Sequence, residues 1–222
     1  MTETYSRDVP LVLNSSAVLI VDVQNYCCLP SGGEFQNIET EERKAYDYYF
    51  ERLARTTLPN IGRIQAVCRE AHIEVMFTVV ENLTQDGRDR GLDYKISEFH
   101  VPKGSPDAQV LEAIKPIGDE MVIPKTSSSV FNSTNIDYIL RNLGCRHLAI
   151  CGVLTDQCVE SAVRDACDMN YLVTLVTDAC ATYSDERHRN SLKAIQGYCR
   201  QITTMELVEE VTNLRNSGCR QK

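Results

Sequence analysis

The chain has no Cys-x-x-Cys pair, no histidine before His72 and no basic run. Each absence removes a class of function. Its ten cysteines lack companion histidines at zinc-finger spacing, so no structural zinc site is expected. That number also falls short of the density of a small secreted disulfide scaffold, which leaves most of them as reduced thiols. With a net charge of −8 and its lysines and arginines scattered, the chain offers no phosphate-tracking surface, and nucleic acid is not an expected partner. No apolar stretch approaches the length of a membrane span, and the opening MTETYSRDVP lacks the charged-then-apolar order of a secretory signal. A cytoplasmic protein without a membrane partner is therefore expected. There is no internal repeat.

What is present suits one globular domain. The 222 residues are 43% hydrophobic and 24% charged, enough to bury a full core. The domain is expected over residues 1–222, with its core at about 17–205, a short N-terminal arm and a loose tail from Asn216 to Lys222. Ala17–Val21 is short, apolar and rich in branched side chains, as suits a strand covered on both faces. Similar runs at Ile73–Val79, Met121–Ile123, His147–Cys151, Leu172–Val176 and Ile202–Met205 make six strands. Helical spacing appears at Glu41–Arg55, Asn60–Arg69, Asp107–Ile114, Asn135–Asn142, Asp156–Met169 and Ser184–Tyr198, with Gly144 as a C-terminal stop. Alternating strands and helices predict a three-layer α/β/α fold on a mostly parallel sheet. Tyr26–Ile38 and Asn82–Gly104 read as loops near the strand ends, where specificity is usually built.

Ligands of open parallel sheets bind beyond the carboxyl ends of the strands, so polar residues there carry the chemistry. Asp22 closes the first strand. Lys125 follows the third strand across Pro124, and Cys158 lies just past the fourth. A nucleophilic cysteine needs a proton acceptor and positive potential, because its usual pKa near ~8.5 leaves little thiolate at neutral pH. Asp22 can take the proton, and Lys125 with the start of the helix near Asp156 can stabilise the sulfur. The four histidines, 72, 100, 147 and 188, read as surface or satisfied residues rather than bases.

The segments VLIVDVQN, VIPKTSSSVFNST and GVLTDQCVESAVRDA resemble the isochorismatase-like cysteine hydrolases, in that family's order and approximate spacing from about Ala17 to Met205. The resemblance implies an Asp22, Lys125, Cys158 triad, a Rossmann-like sheet and a homo-oligomer, a dimer or tetramer. It also implies a cis peptide between Val153 and Leu154, and an oxyanion hole formed by the backbone N–H groups of Leu154 and Cys158. The branch it points to contains N-carbamoylsarcosine amidohydrolase and ureidoacrylate hydrolase. It predicts cleavage of a C–N bond in a small amide or ureido substrate through a Cys158 thioester, without a cofactor. The metal-binding Asp-x-His pair of many nicotinamidases has no counterpart here, so no metal is expected; Asp47 and Glu51 read as solvated charges. Vinyl-ether hydrolysis of an isochorismate-like diacid is the alternative within enzymes, and a non-catalytic metabolite-binding oligomer is the alternative outside them.

For substrate contacts the expected residues are Asn25, Glu81, Asn82, Arg88, Phe131 and Tyr183, with Tyr26 beside them. Gln24 and Asn25 could bond substrate or cap local turns. Arg88, Arg90 and Lys95 could clamp a substrate carboxylate, or pair within their loop with Asp86, Asp89 and Asp93. Cys27 and Cys28 are open to oxidation if their loop is exposed.

Overall fold

All six residues of Ser16–Val21 are buried, as an unbroken apolar run requires when helices cover both faces of a parallel sheet. The computed structural model describes residues 6–218. Its strands are β1 (Ser16–Val21), β2 (Glu74–Val80), β3 (Val122–Lys125), β4 (His147–Val153), β5 (Leu172–Ala181) and β6 (Arg200–Ile202). They form one wholly parallel sheet in the order β3-β2-β1-β4-β5-β6. The chain winds outward from β1 in both directions, so the order reverses between β1 and β4. At such a reversal the connections diverge to opposite faces and leave a crevice.

Local chemistry explains the element ends. Gly144 takes φ +71 after the helix Ile136–Asn142, a left-handed stop that a side chain disfavours. Ser184 caps the helix Asp185–Ile195 by accepting from the Arg187 amide. Gly152 is fixed by crowding: at φ +123, an added Cβ would lie 2.2 Å from the Val21 carbonyl oxygen of the neighbouring strand. Pro124 sits inside β3, which forms an edge of the sheet. Because the Glu81 amide donates to the Lys125 carbonyl, Lys125 faces β2, and the alternation of a strand turns Pro124 to the open side.

Several expected boundaries shift. Lys125 is the last residue of β3 rather than a residue beyond it. Asp107–Ile114 is not one helix but two single 3₁₀ turns, Pro106–Ala108 and Glu112–Ile114. Prolines and glycines flank this stretch on both sides, at 102, 104, 106, 116 and 118, so no longer helix can run through it from either end. The last strand ends at Ile202, and Thr204–Gly218 is a helix packed on Leu58–Glu70. Its first turn is capped from outside by Asp178, whose carboxylate accepts from both the amide and the hydroxyl of Thr204. The expected tail is therefore helical through Gly218, and residues 219–222 lie outside the described residues. Among the described residues, no helix is long and apolar enough to cross a membrane.

Candidate active site

Asp22 and Cys158 meet at the floor of a cavity of about 550 Å³ beyond the ends of β1, β3 and β4, with Lys125 buried behind the lining and in contact with both. Asp22 is buried and takes φ +54, a left-handed conformation that costs energy in most residues and is more tolerable for aspartate. Its Oδ1 accepts from the Thr78 hydroxyl at 2.6 Å. Its Oδ2 lies 2.8 Å from Lys125 Nζ in an ion pair, but no aligned hydrogen bond reaches that oxygen. One oxygen is thus held and the other keeps accepting capacity.

Lys125 has its side chain wholly buried. Nζ donates to the Ser127 carbonyl at 2.8 Å and to Cys158 Sγ at 3.4 Å, so an ammonium with three protons has three neighbours. Burial works against its charge, yet the negative groups around it, Asp22 first, raise its pKa above the ordinary lysine value. It is a fixed cation.

Cys158 falls in a π-helical turn, Thr155–Val159, that opens the helix Glu160–Asp168. Burial pushes its thiol up to about 12; Lys125 pulls it down, and the neighbouring charge of Asp22 pushes it up again. Sequence reasoning expected positive potential to hold a thiolate, but desolvation outweighs it. Burial thus favours the thiol form, and a nucleophilic sulfur here would need a base to take its proton during attack.

The turn that carries the sulfur is anchored from behind. His188 Nε2 accepts from Arg52 at 3.0 Å, which leaves Nδ1 to donate to Thr155 Oγ1 at 2.9 Å. Burial and Arg52 hold this imidazole down to about 4, hence neutral. It is a satisfied structural residue. The Val153–Leu154 peptide is cis, and both Leu154 and Cys158 line the cavity.

The expected substrate contacts divide. Tyr183 and Tyr26 line the cavity. Asn25 does not: its amide donates to the Pro106 carbonyl. Glu81 accepts from the Gly104 amide, and Phe131 is packed against Tyr171 in the core. Asn82 is buried under its own loop and is not among the cavity residues. The side chain of Arg88 is 73% exposed and paired with Asp86, so it forms no clamp over the sulfur. Gln24 is also structural, bonding both the amide and the carbonyl of Val80 and the carbonyl of Asp107. Cys27 and Cys28 are both buried rather than exposed; Cys27 Sγ donates to the Asp22 carbonyl.

Sequence reasoning missed Thr78, Glu34, Tyr94 and Phe99. For Thr78 a signal existed: it is the one hydroxyl within the buried run EVMFTVV, and its register partner is Val21, next to Asp22. Glu34 and Phe99 stand in loops and Tyr94 in the single-turn helix Leu92–Ile96, where no periodicity marks a facing direction. Among the described residues, no group of three or more His, Cys, Asp or Glu side chains is placed to hold a metal ion.

Comparison with known proteins shows the family and the fold. The family model described as the isochorismatase domain matches residues 16–206. A ureidoacrylate amidohydrolase of Variovorax paradoxus, RutB, is 29% identical over 78% of this chain and 72% of its own length. Nicotinamidase 3 of Arabidopsis thaliana is 25% identical, over 80% of this chain and 78% of its own. The fold is shared with a cysteine hydrolase from Pseudomonas syringae (TM-score 0.78, 23% identity, 93% of this chain and 96% of that one). It is shared too with N-carbamoylsarcosine amidase from Thermoplasma acidophilum (TM-score 0.66, 22% identity, 86% and 96%).

Proposed function

This chain belongs to the isochorismatase family, and on that premise we propose that it is a cysteine hydrolase cleaving the C–N bond of a small amide or N-carbamoyl compound. The observation that carries the proposal is the Lys125 ammonium, 2.8 Å from Asp22 and 3.4 Å from Cys158 Sγ at the base of a cavity. A buried cation between an acid and a thiol is costly to maintain for packing alone. It is suited to holding Asp22 as a carboxylate while the sulfur loses its proton.

In the proposed cycle Asp22 Oδ2 takes the thiol proton as Sγ adds to the carbonyl carbon. The oxygen gathers negative charge against the backbone N–H groups of Leu154 and Cys158. Such donors are typically worth ~2.7–4 kcal/mol of barrier each. The C–N bond then breaks, and the leaving nitrogen carries away the proton from Asp22 as ammonia or an amine. Water attacks the thioester while giving a proton to Asp22. Finally the C–S bond breaks and that proton returns to the sulfur, restoring the thiol. No step asks for a metal or cofactor.

The test is an ammonia-release screen over amides, ureas and N-carbamoyl acids, with Cys158→Ala as control. We expect turnover by the native protein and a loss of at least about 10³-fold in the variant, while the variant's melting temperature stays close to native. Undiminished turnover in Cys158→Ala would sink the proposal. Release of pyruvate from an isochorismate-like diacid, without ammonia release from any amide, would replace it with vinyl-ether hydrolysis.

A further inference from the structure

The chemistry of the floor says what bond is cut, and the walls say what is attached to it. Among the described residues that line the cavity there is no lysine, arginine or histidine, whereas Asp22, Glu34 and Asp93 all line it. Asp93 is exposed at the mouth, Glu34 is half-buried along the wall and Asp22 lies at the base. Lys95, between Asp93 and Ser97, is exposed and does not line the cavity, and the other cations nearby are engaged. Arg90 donates to the carbonyls of Gly87, Tyr94 and Phe99. Arg187 pairs with Asp156, Arg88 pairs with Asp86, and Lys125 is consumed by Asp22, Ser127 and Cys158. A substrate carboxylate entering here would find negative charge and no guanidinium.

Four of the other wall residues are aromatic: Tyr26, Tyr94, Phe99 and Tyr183. Tyr26 and Phe99 have ring centroids 4.4 Å apart, and Tyr94 stacks on Phe99 at 4.9 Å and 28°. Tyr183 donates its hydroxyl to Glu34. Ring faces beside a carboxylate attract an alkylammonium by two independent effects, the ring quadrupole and direct charge. Among the described residues no cation pairs with Glu34, and burial lifts its carboxyl to about 7 against the opposing pull of the Tyr183 bond. An empty cavity therefore penalises its charge, and a bound cation removes the penalty.

We propose that this cavity selects cationic amides: small substrates whose scissile carbonyl faces Cys158 while an ammonium or amidinium group lies between Glu34 and the aromatic rings. The proposal rests on the hydrolase reading for the carbonyl end and on the wall residues for the charged end. It sets this chain apart from hydrolases whose substrates carry a carboxylate. A cavity of about 550 Å³ accepts such a molecule with a chain of several carbons between the two groups.

The experiment uses three amides of matched length: 5-aminopentanamide (cationic), pentanamide (neutral) and the monoamide of glutaric acid (anionic). Binding to the Cys158→Ala protein is measured by calorimetry at pH 8, so nothing is turned over, and ammonia release is measured with the native protein. We expect the cationic amide to bind at least about tenfold more tightly than the neutral one, and the anionic one more weakly than either. In Glu34→Gln the cation-to-neutral ratio should fall to within about threefold of unity, and in Asp93→Asn, at the mouth, it should fall by less. Equal affinities, tighter binding of the anionic amide, or no binding of the cationic amide at millimolar concentration would each overturn the proposal. The two readings fail separately. A protein that binds in the order cation, neutral, anion but releases ammonia from none of them retains the charge selection and loses the hydrolase.

Discussion

At the scale of single residues, the tension is concentrated in Cys158. A thiol pushed up to about 12 is chemically quiet, although the cation 3.4 Å away lowers that value. Quiet and competent are compatible when a base is placed to act during attack rather than before it. Iodoacetamide should therefore modify Cys158 slowly near pH 7, and the rate should keep climbing as the pH passes about 9. A plateau already reached at pH 7, read by mass spectrometry of the labelled peptide, would show a preformed thiolate and remove Asp22 from the proton-transfer step. Thr78 belongs to this scale as well. Its hydroxyl occupies Oδ1 of Asp22, so that in the proposed cycle the proton is left to Oδ2.

At the scale of elements, what aims the site is the closeness of β1 and β4 where the sheet order reverses. Gly152 allows that approach. In Gly152→Ala the new methyl would meet Val21 backbone atoms at 2.2 and 2.6 Å, in a conformation that already disfavours a side chain. Neither atom can rotate away, so β4 would have to shift. We expect a loss of more than about 3 kcal/mol in urea unfolding, or failure to fold. Wild-type stability in that variant would mean that the two strands have slack between them. The strands were readable because buried parallel strands are apolar throughout, and a polar residue at the end of such a run stands out. Asp22, Lys125 and Cys158 could thus be placed on one crevice before any coordinates. The helix Thr204–Gly218 was missed. Its apolar positions are interrupted by charges and Asp178, which holds Thr204, is remote in sequence, yet a local signal stood at its start: Thr203 and Glu206 each accept from the other's backbone amide, a capping box. For Arg88 the sequence left two readings open, a clamp or a loop pair, since charge composition within a loop says nothing about which way a guanidinium points; it pairs with Asp86.

At the scale of the whole molecule, a net charge of −8 and the acid-lined cavity act in the same sense on an approaching cation. Raising the ionic strength shortens the reach of that field from ~10 Å at 0.1 M to ~3 Å at 1 M. The KM for 5-aminopentanamide should rise several-fold over that range, whereas the KM for pentanamide should hardly move. Parallel salt dependence of the two would show that charge plays no part in capture.

Pro124 has a different consequence at this scale. It faces outward from the edge strand and carries no amide proton, so the row of donors that another chain would need for sheet extension is broken beside Lys125. Lys125 is thus held on a strand that makes a poor template. Copies of this chain crowded together in a concentrated solution are denied the shortest route from enzyme to fibril on that side.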